Sequence, residues 1–496
     1  MNPRKTLTLC LVLVIMLTLF APAITVAETE PVLKVLYTKG GFEAPPPDDA
    51  IKAKIEADTG IKFEFISPPS SNYTEQLHII LASQKDLPDI IAFNMKADVF
   101  DYAEQGALLD LTPYLDLMPN ITNLIPQSAM DYFKVDGGLY AIPKWTTQKR
   151  YNVVIRNDWL SKLGKEVPTT LDELHDVLTA FANEDPDGNG NKDTYGISGL
   201  GLDGFEYIFG AFGVIAGETS WNAPNTGTGI YFYKDGENLL PMVTKPEMKQ
   251  ALELLAQWYS EGLIDPEYAS QNGATFIQKF EQSRFGMTTH WWNWEAQREA
   301  AMKVTNPDVE VIRMAPPVGP TGLSGNRAIP ETVAGVSVLA NTKYPELAAK
   351  FLDYFNGLEN GMLTSYTGVE GVHWEKTADG RYVTLPQFDL DNKWIQWYFL
   401  FENEQPLYKV ETYLAPSRRG ALEWNVVQDE ARGLISKKQF EYNADLTAFV
   451  AATFNEFITG RRALTEFDKF VEDFMNMGGR EWSEEVTQLY KEKHAQ

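Results

Sequence analysis

The chain has 496 residues, 68 of them Asp or Glu against 43 Lys or Arg, for a formal net charge of −25. A surface that negative repels nucleic acid and anionic lipid, so neither is expected as a partner. The single cysteine, Cys10, rules out disulfides and leaves no thiolate metal site or cysteine nucleophile beyond the N-terminal segment.

Arg4 and Lys5 precede an apolar run from Leu7 to Phe20, and Thr25-Val26-Ala27 follows. A charged start, a short apolar core and small residues at its exit predict a secretory signal peptide over residues 1–27. The run is too short to span a bilayer comfortably, and no second one follows. Cys10 lies inside that core rather than at its end after a small residue, so no lipid anchor is read. The expectation is an exported, soluble, periplasmic protein. Without disulfides it depends on a large core, and its length suffices for two or three domains.

Val32 to Tyr37 reads as a strand, Ile61 to Phe65 as a half-buried one, and Asp89 to Phe93 as a buried one ending at Asn94. Helical stretches lie between them, one around Tyr73 to Leu81. This rhythm predicts an α/β fold with a largely parallel sheet. Further on, Thr170 and Glu173 form a capping box after Pro168, and Leu171, Leu174, Val177, Leu178 and Phe181 share one helical face. Met248, Leu252, Leu255 and Tyr259 form a second stripe that stops at Gly262. Pro345 opens a third helix with Leu347, Phe351 and Phe355 on its apolar face. Leu464, Phe467, Phe470, Val471 and Phe474 form a fourth face, ended by Gly478-Gly479. All four stripes predict core.

Several segments, in order, resemble the extracellular solute-binding proteins of family 1, the sugar-binding partners of ABC importers. They are Leu87-Pro88-Asp89-Ile90-Ile91, Ala103 to Leu111, Leu139-Tyr140-Ala141-Ile142-Pro143, and Asn157-Asp158-Trp159-Leu160 through Val167-Pro168-Thr169-Thr170 into the Asp185 loop. Tyr259 to Pro266, Thr332 to Val336 and Gly368-Val369-Glu370-Gly371 continue the match. The resemblance implies a two-lobed, periplasmic-binding-protein-like fold of type II, its lobes joined by hinges around an interlobe cleft. Residues 28–146 plus about 332–356 would form the first lobe, and 147–331 plus about 357–496 the second with its C-terminal helices. It also implies capture of a carbohydrate, delivery to a membrane permease, and a monomer in solution. Hinge closure around a ligand suits this physically, since burial on both sides excludes water.

Asp185, Asp187 and Asn189 occupy the first, third and fifth places of an EF-hand-type loop, with Gly190 sixth and Asn191 and Asp193 seventh and ninth. That spacing of hard oxygen donors predicts a structural calcium ion. The twelfth place is Gly196 instead of a bidentate Glu, and Thr194 stands where related proteins often carry a Glu. The alternative is an Asx-rich turn satisfied by its own hydrogen bonds.

A sugar site needs aromatic platforms and short polar groups for the hydroxyl rim. The densest candidate is His290-Trp291-Trp292-Asn293-Trp294 at the end of a predicted strand, with Trp291 and Trp292 read as ligand contacts. Adjacent strand residues face opposite ways, so both cannot stack on one ring while the chain stays extended. Trp145 beside the hinge, Trp374 with Glu370 in a turn-rich loop, and Asn94 and Lys39 at strand ends complete the candidate set. For Trp145 hinge packing, and for Glu370 a solvated loop, are the alternatives. Trp394 and Trp397 are read as core.

The five histidines show no metal-ligand spacing, and no nucleophile elbow, zinc motif or phosphate loop appears. A non-catalytic binder is therefore expected. The rival readings are a secreted glycoside hydrolase or lyase and a sugar-sensing partner of a receptor kinase. A neutral oligosaccharide is the first choice of ligand. Uronate-bearing sugars remain open because Lys144, Lys149 and Arg150 lie near the hinge.

Overall fold

The computed structural model describes residues 30–37, 44–68, 73–145, 151–216, 229–291, 294–328, 332–378, 382–401, 424–434 and 436–494. The segment read as a signal peptide lies outside these. In chain order the first lobe lays down β1 (Val32–Leu36), β2 (Lys62–Ile66), β3 (Ile90–Phe93) and β4 (Ile142–Trp145). The chain then builds a second lobe from β5 (Tyr151–Arg156), β6 (Tyr195–Ile197), β7 (Phe285–Trp291), β8 (Val311–Met314) and the short β9 (Asn326–Arg327). It returns for β10 (Thr332–Val338) and later adds β11 (Val426–Val427), which pairs with β9.

The first sheet has the order β2-β1-β3-β10-β4, with β1 parallel to β2 and β3, and β10 antiparallel to β3 and β4. The second has the order β8-β5-β7-β6, with β7 and β8 antiparallel to β5 and β6 parallel to β7. Each sheet carries its own core. In β5, Val153 and Ile155 enter the main core of the second lobe while Val154 faces Phe276, Phe280 and Trp294. Both faces are covered, which is why the strand reads as an unbroken apolar run.

Helix α1 (Lys96–Glu104) starts two residues beyond Asn94. In α2 (Leu171–Asn183) the Thr170–Glu173 capping box is present in both directions, and Leu171, Leu174, Val177, Leu178 and Phe181 are all buried. Gly286 lets this helix approach β7, because a Cβ there would stand 2.2 Å from the Phe181 ring and 2.8 Å from Trp159. Helix α3 (Glu206–Ala211) is wholly buried, α4 (Pro246–Ser260) buries Met248, Leu252 and Leu255, and α5 (Pro345–Tyr354) buries Phe351. Helices α6 (Phe467–Phe474) and α7 (Arg480–His494) pack on the second lobe through Phe467, Phe470, Phe474, Trp482 and Val486.

One boundary differs from the sequence reading. The sequence puts residues after about 357 in the second lobe, yet Trp394, Ile395, Tyr398, Leu400 and Phe401 enter the first-lobe core. Tyr398 donates to the buried Asp49 carboxylate at 2.7 Å, and Tyr37 donates to the Phe399 carbonyl at 2.7 Å. The aromatic run thus completes the first core. The described chain from residue 424 onward rejoins the second lobe, where Asp429 accepts from the Phe232 amide at 2.8 Å.

The registers fix which ends of the sheets face each other. Phe93 pairs with Gly335 and Trp145 with Thr332, so the carboxyl ends of β3 and β4 lie where β10 enters from the second lobe. Trp291 pairs with Tyr151, so the carboxyl end of β7 lies where β5 leaves the first. The carboxyl ends of β6 and β8 share that side. Both sheets therefore direct their carboxyl edges at the interlobe region, the side on which open α/β sheets bind ligands.

Candidate functional site

On the first-lobe edge stand Tyr37, Asn94 and Lys144. Asn94 is exposed just beyond β3, and the Lys144 ammonium lies 5.4 Å from the centre of the Tyr37 ring. Lys39 and Trp292 lie outside the described residues. Trp145 and Trp291 are placed by their backbones at the interlobe ends of β4 and β7. Their side chains are not among those described.

Two other candidates land differently. Trp374 is only 8% exposed and its indole N–H donates to the Gly368 carbonyl at 3.1 Å, so the ring is seated in the loop and not open for stacking. The adjacent His373 is fully buried and accepts the Val369 amide at 2.9 Å on Nδ1. Glu370 is exposed on the same loop. Within the aromatic cluster, Trp294 belongs to the core, and His290 is stacked between Phe276 and Trp294 with ring centres 5.8 and 4.6 Å away. Burial, followed by the nearby Arg298 charge, pushes His290 down to about 3, so it is neutral at physiological pH. Trp394 is core, as read.

Sequence reasoning missed a buried polar cluster on the second-lobe edge. Arg327 on β9 places Nη2 2.7 Å from Glu206 Oε1, and its Nη1 donates to the Tyr231 hydroxyl at 2.6 Å. The guanidinium also lies 5.0 Å from the centre of the Tyr151 ring, and Asn326 donates to the Tyr151 carbonyl at 2.9 Å. Asp203, six residues beyond the end of β6, adds a second carboxylate. Burial pushes the Glu206 carboxyl up to about 8 despite Arg327. Glu206 Oε2 and Arg327 Nε hydrogen-bond to no other described group, which leaves a carboxyl oxygen that can accept, or donate when protonated, and an N–H donor over. Such a mixed set suits hydroxyl groups, which donate and accept at once. Residues so far apart in the chain carry no local signal that they meet.

The predicted ion loop lies at the amino end of β6, while the interlobe edge is at the carboxyl ends of β6 and β7. The seven residues of β7 put about 20 Å between those ends. Asp185 accepts the Asn189 and Gly190 amides at 3.0 Å each, and Asn189 Nδ2 donates to Asp187 at 2.8 Å and Asp193 at 3.1 Å. Arg284 pairs with Asp193, and Lys162 donates to the Pro186 carbonyl at 2.9 Å. Asp187 is raised, by burial first and then by the carboxylates beside it. Asn189 and Arg284 hold Asp193 low. As they stand, no three acidic, His or Cys side chains among the described residues are gathered tightly enough to hold a metal. The donors are still the hard oxygens calcium takes, three carboxylates and two amides. Gly196 has no room for the missing carboxylate, since a Cβ would stand 2.8 Å from Leu178 Cβ. Thr194 is turned away to the Phe181 carbonyl at 2.8 Å.

Residues 50–368 match the family model for bacterial extracellular solute-binding proteins. Lipoprotein LipO of Bacillus subtilis (strain 168) is 27% identical over 494 residues, covering 92% of each chain. The polygalacturonan/rhamnogalacturonan-binding protein YtcQ of the same organism is 24% identical and covers 93% of this chain and 91% of its own. Among solved structures, the Streptococcus pneumoniae ABC-transporter substrate binding protein FusA, as an EF-hand mutant in complex with fructo-nystose, superposes with a TM-score of 0.70. It is 21% identical, over 94% of this chain and 100% of that one, a likeness of fold. No helix among the described residues is long and apolar enough to cross a membrane. With the family match spanning more than half of its length, the chain belongs to the bacterial extracellular solute-binding proteins.

Proposed function

We propose that this protein captures an oligosaccharide between its lobes and delivers it to an ABC importer without chemical turnover. The observation that carries the reading is the convergence of both sheets' carboxyl edges. One carries Asn94 and the Trp145 backbone, the other Trp291 and the Glu206–Arg327–Tyr231–Tyr151 cluster. Trp145, Trp291 and Trp292 are proposed as platforms for sugar C–H faces, and the leftover valences of Glu206 and Arg327 as hydroxyl partners. Two relatives named for carbohydrate ligands support this reading.

The test is calorimetry of the mature chain against a panel of neutral and acidic oligosaccharides, with Trp291→Ala and Trp145→Ala alongside. At least one sugar should bind, and each variant should bind it more weakly. A panel with no binder would sink the reading, as would reducing-end release from any bound oligosaccharide.

Calcium is proposed in the Asp185–Asp193 loop, held by the carboxylates of Asp185, Asp187 and Asp193 with Asn189 and Asn191 as neutral donors. When bound it would tie the end of α2 to the start of β6. Its distance from the interlobe edge makes it a structural ion. We also propose export without a lipid anchor, because Cys10 stands inside the apolar run. A relative that is a lipoprotein makes the alternative concrete, and metabolic palmitate labelling of the wild-type chain and Cys10→Ala separates the two.

A further inference from the structure

We propose that Lys96 of the first lobe and Lys493 of the second form a single cationic subsite that takes the carboxylate of an acidic sugar. This rests on the carbohydrate reading above and names the ligand class more narrowly.

Lys96 opens α1 two residues past Asn94, on the first sheet's carboxyl rim. Its ammonium stands 3.5 Å from the centre of the Tyr132 ring and 4.9 Å from that of Phe100. Aromatic faces attract a cation without neutralising it. Tyr132 also meets the second lobe. A Cβ on Gly433 would lie 3.1 Å from Tyr132 Cε2 and 3.9 Å from Lys493 Nζ. Gly433 neighbours Leu434, which packs on the second core, and Lys493 lies at the end of α7. The two lysines thus come from opposite lobes to the surroundings of the one Tyr132 ring.

Neither lysine has an ion pair among the described residues, whereas nearby Lys491 has Glu237 at 3.7 Å. In a chain with so large an excess of carboxylates, two cations without an ion pair among the described residues need a reason. Burial, followed by the Lys493 charge, pulls Lys96 down to about 7. Bringing the lobes together therefore costs repulsion that an anion between them would relieve. A ligand carboxylate seated there stabilises the closed arrangement more than the open one, which is what ligand-linked closure requires.

The experiment uses the mature chain and three acidic trisaccharides (galacturonate, mannuronate and guluronate), their methyl esters, and neutral trisaccharides. Calorimetry is run on wild type, Lys96→Gln and Lys493→Gln, with unfolding temperatures as the folding control. At least one acidic trisaccharide should bind, its methyl ester about tenfold or more weakly, and each variant should lose about tenfold for the acid, with wild-type affinity falling as salt rises. Lys493 is exposed at a helix end, so its variant tests the idea even if Lys96→Gln unfolds. Esters binding as tightly as acids, variants within about twofold of wild type, or binding of neutral sugars alone would overturn the subsite and leave the carbohydrate reading standing. Binding of no sugar at all would overturn both.

Discussion

Replacing Arg327 with Met removes a guanidinium that is 8% exposed and contacts Glu206 at 2.7 Å and Tyr231 at 2.6 Å. Breaking a buried pair from one side costs about 3–5 kcal/mol, because the remaining charge is stranded. Burial already pushes Glu206 up to about 8, so it can take a proton near neutrality, and the loss should fall at the low end, about 3 kcal/mol. For a lobe of this size that is a fall of about 6–12 °C in Tm. Glu206→Gln keeps the shape and removes the charge. The double variant should recover about 1–3 kcal/mol relative to the summed single losses.

The pH dependence has a definite sign. A carboxyl raised from its ordinary value to about 8 makes the folded state hold a proton that the unfolded chain has released. Its contribution is complete below the ordinary carboxylate range and is lost as pH rises toward 8, at up to about 1.4 kcal/mol per pH unit. Glu206→Gln should flatten the stability profile across that window. Urea unfolding of the four proteins from pH 5 to 8 measures both effects. Additive losses, or an unchanged slope in Glu206→Gln, would refute the reasoning.

Gly286→Ala would drive a methyl to 2.2 Å from the Phe181 ring, and overpacking of this kind should cost about 1–3 kcal/mol or more in urea unfolding. Thr170→Ala removes the hydroxyl that accepts the Glu173 amide at 3.2 Å and should cost about 1 kcal/mol, read the same way. Adding calcium to chelator-treated protein should raise Tm by several degrees, and Asp185→Ala should abolish the rise while leaving sugar affinity within about twofold, given the roughly 20 Å that separates loop and cleft edge. His290, pushed down to about 3, is neutral throughout the window, so His290→Gln should leave the pH profile of sugar affinity between about pH 5.5 and 7.5 unchanged.

The helical stripes were legible because each helix meets one core, so the 3.6-residue period shows directly which side chains are buried. Leu174, Leu178 and Phe181 are all at 0% exposure. The ion loop's oxygen set was legible too, since its donors are consecutive in the chain. The aromatic run ending at Phe401 showed that it was buried but not which lobe it covers, and its assignment to the second lobe was wrong. Trp374 illustrates the same limit. A tryptophan in a turn-rich loop reads as a platform until the Gly368 carbonyl is found on its indole nitrogen.

What the sequence determined by itself was whatever the backbone repeats every few residues: strand and helix type, capping at Thr170, and the spacing of carboxylates in the loop. What only the tertiary structure decided was which distant residues meet: Arg327 with Glu206, Tyr132 with Gly433, and the two sheet edges across the interlobe region. The physical reason is that local periodicity follows from bond geometry shared by every chain. The pairing of remote side chains depends on the path between them, and that path is set by the packing of both cores together.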